Sequence, residues 1–234
     1  KPWTPPVDLP TPVEEEVSMI QGRSAAIMRA RRLIERVSGS DEPVMLLGEP
    51  GTGKELFARR LHEIGRAPGG PFIAVNCSMF DNDDTRAATA LLDERIERAA
   101  GGTLFLNDVL LLPRQLQGHL ALKVQVREGV RAGFRLVSAC SGQPREAVKS
   151  GAFRADLFYR LSLLPVALPP LRDRRDDLPV LIEHFLKRHA RRHGRPLRKI
   201  SGAAMDLLLR YDYPGNVREL SNMLERGVIF AEPA

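Results

Sequence analysis

Aromatic residues make up only 6% of the 234-residue chain, with a single tryptophan, three tyrosines and nine phenylalanines. So sparse a set does not supply the stacked platform on which single-stranded bases are held. Cysteine is rarer still: Cys77 and Cys140 lie in the separate apolar runs PFIAVNC and FRLVSAC. That pattern excludes a disulfide framework and a thiolate metal spacing, and points to buried reduced thiols. No apolar run approaches the roughly 20 residues needed to span a bilayer, and no signal-peptide pattern is present. A cytoplasmic protein without a membrane partner is expected. Charge of one sign does not dominate either: 35 Lys and Arg stand against 29 Asp and Glu, a net charge of +6. This excess permits contact with nucleic acid or nucleotide phosphates without establishing it. Hydrophobic residues at 43% and charged residues at 27% are those of a globular chain, not of a disordered tail or a fibre.

What is present is punctuated. The opening KPWTPPVDLPTP reads as an extended proline-rich linker over 1–17. The other end, GVIFAEPA, follows directly on a helical pattern, and together the two ends suggest a middle piece of a multidomain protein. After the linker, the stretch from Ser24 to Val37 carries Ile27, Leu33, Ile34 and Val37 among arginines, as an amphipathic helix does. Short apolar runs at 43–47, 72–75, 103–106 and 134–137 read as buried strands, with helices at 54–64, 85–100 and 113–126 between them. Such alternation implies an α/β fold with a parallel sheet covered on both faces. Beyond Asp177 the strands stop, and helical patterns at 178–193, 201–210 and 216–230 imply a small all-helical subdomain. The expected division is 1–17, 18–172 and 173–234.

The sharpest chemical signal is Gly48-Glu49-Pro50-Gly51-Thr52-Gly53-Lys54-Glu55. It follows a predicted strand and opens a predicted helix, the context that a phosphate-binding loop requires. Glycines let backbone N–H groups turn inward around phosphates, Lys54 adds a point charge, and the helix N-terminus adds a partial one. Glu55 stands where Ser or Thr usually follows, and Thr52 is outside the usual metal-binding slot. The inner ligand for magnesium is therefore not evident from the loop.

GEPGTGKE, PFIAVNC, GGTLFL, GAFRADLFYRL, LPPLRDRRDDLP and YPGNVREL together resemble the central AAA+ domain of bacterial enhancer-binding proteins, the NtrC family of sigma-54 activators. The resemblance runs from about Ile20 to Phe230. It implies an AAA+ P-loop sheet sandwiched by helices, followed by a helical lid, with ATP or ADP and Mg2+ as cofactors. Lys54 and the backbone around Gly51 and Gly53 would hold phosphates. Asn76 matches the polar residue that switches the catalytic carboxylate. Arg154 and Arg160 match the pair that supplies arginine fingers to a neighbouring subunit's nucleotide, and Arg218 matches the lid arginine that reads nucleotide state. The partners implied are a second copy of the chain (a dimer or ring), DNA through a domain outside this chain, and RNA polymerase as a candidate.

The departures from the family pattern carry as much as the matches. Asn107-Asp108 replaces the family's Asp-Glu, so the metal shell loses a carboxylate and the water-orienting one is a methylene short. A misplacement near 1 Å can cost on the order of 100-fold in rate. Were Asp108 instead the metal ligand, Val109 would leave no water-orienting group. Between Asn76-Cys77 and Gly101-Gly102 the family's GAFTGA loop, which grips the sigma factor, is replaced by a stretch that reads as an acid-capped helix. The stretch 127–133 also reads as a trimmed loop, and Ser141 stands where the family's first sensor usually has Asn. The expectation is a nucleotide-binding oligomerisation module with slow or absent hydrolysis and no sigma-54 remodelling. An active ATPase on another partner, and a nucleotide-free scaffold, are the alternatives. The basic run 187–193 reads as the solvated face of an amphipathic helix. The five histidines show no carboxylate or cysteine at ligand spacing, and His189 with His193, four apart, is a weak signal alone.

Overall fold

A computed structural model describes residues 20–80, 84–124, 133–196 and 200–231. The expected linker 1–17 and all but the last residue of the expected trimmed loop 127–133 lie outside the described residues. The order is α1 (Ala25–Val37), β1 (Val44–Leu47), α2 (Lys54–Glu63), β2 (Phe72–Asn76), α3 (Thr85–Arg98), β3 (Thr103–Asn107), α4 (Arg114–Lys123) and β4 (Arg135–Cys140). There follow α5 (Pro144–Lys149), α6 (Ala155–Leu161), β5 (Leu164–Ala167), α7 (Leu178–Arg192), α8 (Gly202–Arg210) and α9 (Asn216–Phe230).

The strands form one parallel sheet in the order β2-β3-β4-β1-β5. Period-two alternation divides its side chains between two cores. Val44, Leu46, Phe105 and Val137 face Ile27 and Ile34 of α1 and Phe57 and Leu61 of α2. Met45, Leu104, Leu106 and Leu136 face Leu92, Leu116, Leu120 and Leu157 of α3, α4 and α6. Sandwiching on both faces explains why these strands read as unbroken apolar runs. β5 escaped the sequence reading because Pro165 interrupts it. It is an edge strand pairing only with β1, where a missing N–H is tolerated.

α1 begins at its N-cap Ser24, whose hydroxyl accepts from the Ile27 N–H. Its buried face is Ile27, Ala30, Ile34 and Val37; Leu33, expected on that face, is 37% exposed because it falls outside the 3.6-residue stripe. Between Cys77 and Gly101 the described residues form a 3-10 turn, Cys77–Met79, and α3, with the Asp84 carboxylate accepting from Ala87 N–H. The acid-capped helix expected there is present.

Two buried charges tie elements together. Arg135 donates to the carbonyls of Val37 (2.7 Å), Ser38 (2.9 Å) and Leu61 (3.4 Å), serving the C-terminal ends of α1 and α2, where carbonyls lack helical partners. Asp177 is completely buried and accepts from the N–H groups of Arg23 (2.6 Å) and Ser24 (2.7 Å) and from the Ser24 hydroxyl (2.7 Å). It joins the start of α7 to the start of α1. A third core, with Leu178, Ile182, Phe185, Tyr213, Leu220 and Leu224, holds α7 against α9. Leu171 also belongs to this core, so position 172, the expected boundary, falls inside the 3-10 helix Leu171–Asp177.

Candidate nucleotide site

The carboxyl ends of β1, β3 and β4 converge where open parallel sheets bind ligands. After β1, Gly51 and Gly53 take φ values of +78° and +99°, conformations that L side chains rarely adopt. At Gly51 the need is also spatial, since a Cβ there would stand 2.1 Å from the Gly215 carbonyl oxygen. Lys54 opens α2 and is buried. Its ammonium donates to the carbonyls of Gly48 (2.8 Å) and Glu49 (3.1 Å) and to the Ser141 hydroxyl (2.8 Å). Ser141 in turn donates to Asp108 Oδ1 at 2.6 Å. This Lys54–Ser141–Asp108 chain links the ends of all three strands. Burial pushes the Lys54 ammonium below the usual lysine range, and the Asp108 carboxylate partly opposes that shift.

Asp108 itself sits at φ +51°, ψ +52°, a left-handed conformation that aspartate tolerates better than most residues. Asn107 ends β3 in register with Asn76, which ends β2. Asn76, the expected switch residue, is engaged locally. Its Oδ1 accepts from the Ser78 N–H (3.1 Å) and hydroxyl (2.9 Å), capping the 3-10 turn, while the partner of Asp108 is Ser141.

Asn107, Asp108, Ser141 and Arg218 face Pro50, Gly51, Gly53, Lys54 and Glu55 across a cavity of about 100 Å³. Glu55 is drawn to Arg59 one turn on (2.7 Å), and the Thr52 hydroxyl donates to the Glu49 carbonyl (2.8 Å). The loop is closed from above by the lid. Gly51 O accepts from the N–H groups of Val217 (3.0 Å) and Arg218 (3.3 Å), both in the first turn of α9. The buried Asn216 amide donates to Glu49 Oε2 (3.1 Å) and the Pro50 carbonyl (3.0 Å), and its oxygen accepts from Leu171 N–H (2.7 Å). Arg172 grips the Glu49 carboxylate with both terminal nitrogens, at 2.8 and 2.5 Å. Hydrogen bonds from Arg172 and then Asn216 bring the Glu49 acid down to about 2. Glu49, read from sequence as part of the phosphate cradle, thus joins loop to lid through its side chain.

Arg154 and Arg160 stand apart from this cavity. Arg154 is forked onto the Asp156 carboxylate at 3.0 and 2.8 Å, and that pairing holds the Asp156 acid below its usual range. Its N–H donates to Gln117 Oε1 (2.9 Å). Arg160 lies half-buried on the same helix, α6.

A second cavity, of about 220 Å³, lies on the other side of Gly53. Ile20, Leu56, Phe57, Leu181, Phe185 and Val217 supply its apolar wall, with Gln21 and Arg174 at its polar edge. These residues come from the segment before α1, from α2 and from the lid, so no local motif announced them. The histidine reading also needs correction. His119 lies 2.8 Å from Asp93 and His193 lies 2.9 Å from Glu225, carboxylates that are distant in sequence.

A family model described as the sigma-54 interaction domain matches residues 20–167, and one described as the AAA+ ATPase lid domain matches 172–234. The chain belongs to the sigma-54 activator family of AAA+ domains. This sigma-54 activator domain is 42% identical to the transcriptional regulatory protein XylR of Pseudomonas putida over 90% of its length and 41% of that protein's. It is 38% identical to the phenol regulator MopR of Acinetobacter guillouiae, over 95% and 44%. It therefore spans less than half the length of these two relatives. Among solved structures, NtrX from Brucella abortus in complex with ATP superposes with a TM-score of 0.83 at 34% identity, covering 92% of this domain and 51% of that chain. The ADP complex of NtrX gives 0.80 at 33%, covering 92% and 53%. RuvB from Thermotoga maritima, at 17% identity and a TM-score of 0.59, shares the fold alone. Among the described residues no helix is long and apolar enough to cross a membrane.

Proposed function

We propose that this domain is a nucleotide-binding module of a bacterial transcription regulator, in which ATP or ADP governs self-assembly while hydrolysis is slow or lost. The observation that carries the reading is the Lys54–Ser141–Asp108 chain beside a neutral Asn107. The loop keeps its glycines and Lys54, and a single carboxylate, Asp108, faces it from the end of β3.

The residues fit a triphosphate. The backbone of Gly51 and Gly53, the first turn of α2 and the Lys54 ammonium would receive the phosphates, with Arg218 reaching them from the lid. The apolar second cavity would take the base between Ile20, Leu56, Phe185 and Val217. The fit to magnesium is thinner, because Asp108 must serve it alone. When bound with nucleotide, that ion supplies charge neutralisation on the phosphate oxygens. Asn107 brings an amide where a second carboxylate would strengthen its hold. Asp108, already engaged by Ser141, is poorly placed to orient water as well.

In the assembled state, a dimer or ring, Arg154 would exchange Asp156 for the phosphates of a neighbouring copy, with Arg160 beside it. An arginine so placed is worth roughly 1,000- to 100,000-fold, but only where water is already positioned. The interval between Cys77 and Gly101, whose described residues form a 3-10 turn and α3, supports loss of sigma-54 remodelling. Cytoplasmic DNA binding through an attached domain, with RNA polymerase as a candidate partner, completes the proposal.

Nucleotide affinity and ATP turnover measured together on the purified protein test it. Micromolar binding with negligible turnover is expected. Turnover near one per second, at the low end of ordinary enzymes, would instead make it an active motor. Absence of binding would make it a scaffold.

A further inference from the structure

Away from the nucleotide cleft, the third core brings two helical pairs face to face. His189 lies in the last turn of α7 and His193 is the residue that caps its C-terminus, while Ser221 and Glu225 lie one turn apart on α9 and share a helix face. His193 Nε2 stands 2.9 Å from Glu225 Oε1, and His189 Nδ1 stands 3.8 Å from the same oxygen. One nitrogen from each imidazole and one Glu225 oxygen all lie within 4.8 Å of one another.

His189 is the informative member. Its side chain is only 4% exposed, and its Nε2 lies 3.1 Å from the Ser221 hydroxyl. In the tautomer with Nε2–H donating to Ser221, Nδ1 carries a lone pair, and among the described residues it finds no hydrogen-bond partner. A lone pair 3.8 Å from a carboxylate oxygen leaves a gap that a proton or a metal ion can fill. A ligating histidine is ordinarily held in this way, with its other ring nitrogen donating to a neighbouring polar group.

We propose that His189, His193 and Glu225 form a binding site for a zinc-type divalent cation that cross-links α7 to α9. Metal–ligand distances of about 2.0–2.1 Å in a tetrahedron set ligand atoms about 3.3 Å apart; the two nitrogen–carboxylate pairs, at 2.9 and 3.8 Å, bracket that spacing, and all three atoms lie within 4.8 Å of one another. Two imidazoles with one carboxylate select zinc, cobalt or nickel over calcium and magnesium. His193 and Glu225 are 29% and 25% exposed, which leaves a path for the ion and a fourth position for water. Arg192, 3.4 Å from Glu225, is the competing cation that the metal displaces from this carboxylate.

The test is titration of the purified, chelator-stripped protein with Zn2+, and with Co2+ for its visible ligand-field spectrum. His193→Ala and Glu225→Gln, both partly exposed positions, are titrated beside it, with circular dichroism checking that each remains folded. One ion per chain is expected, with micromolar or tighter affinity and a tetrahedral cobalt spectrum. Each substitution should weaken binding at least 10-fold, and Ser221→Ala by about 10-fold through loss of orientation. Absence of stoichiometric binding to the parent protein overturns the proposal, since a proton then occupies the gap. Binding that both variants retain unchanged overturns it too, because the ion would sit elsewhere.

Discussion

The Lys54 ammonium has three acceptors, Gly48 O, Glu49 O and Ser141 Oγ, and a bound phosphate must replace some of them. Charged hydrogen bonds contribute about 1.5–3 kcal/mol. Lys54→Ala is therefore expected to weaken ATP binding roughly 10- to 150-fold, which calorimetric titration would show. At the neighbouring pair, Asn107→Asp with Asp108→Glu should restore both the metal carboxylate and the missing methylene. A rise in turnover on the order of 100-fold is expected, read as phosphate release; an unchanged rate in visible rings would place the defect at Arg154 and Arg160. The loop and the strand end were legible in the sequence because each announces itself locally, whereas Arg218 in the lid turn was legible only through the family resemblance. Ser141 as the bridge from Lys54 to Asp108 was not, nor was Asn216 as the joint between loop and lid. Their partners lie 87 and 33 residues away for Ser141, and more than 160 for Asn216 at Glu49 and Pro50.

At the scale of elements, hydrophobic period marked four of the five strands and most helices, because both sheet faces are covered and each helix buries one stripe. It missed β5, where Pro165 breaks the run, and it ended several helices a residue or two late, as fraying ends ordinarily mislead. What joins the elements is polar and was invisible to that reading. Asp177 is the clearest case: its carboxylate satisfies two backbone donors and a hydroxyl at the start of α1. Each buried donor left unpaired costs about 1–3 kcal/mol. Asp177→Ala is accordingly expected to destabilise the fold by roughly 3 kcal/mol in urea denaturation. A change below about 0.5 kcal/mol, typical of surface positions, would show that α1 and α7 hold together without it.

For the whole molecule, the question is what fixes the lid on the α/β body. Glu49 stands between them, its acid brought down to about 2 from 4.5 by Arg172 and Asn216. A carboxyl depressed on docking favours the docked lid above its free value and loses that contribution as pH falls through the docked one. Lid docking should therefore hold above pH 4.5 and loosen as pH falls toward 2, the effect moderated by solvent since the side chain is 38% exposed. Spin labels on α2 and α9 should report a distance that broadens in this window, and Glu49→Gln should remove the dependence. The first turn of α9 rests on the Gly51 carbonyl, and the helix runs 15 residues to Phe230, about 22 Å of rigid rod. Such a rod, pivoting beside the glycine loop, turns a tilt of about 10° at its base into a swing of about 4 Å at its tip. Occupancy of the cleft would then be legible far from the cleft, as displacement instead of chemistry.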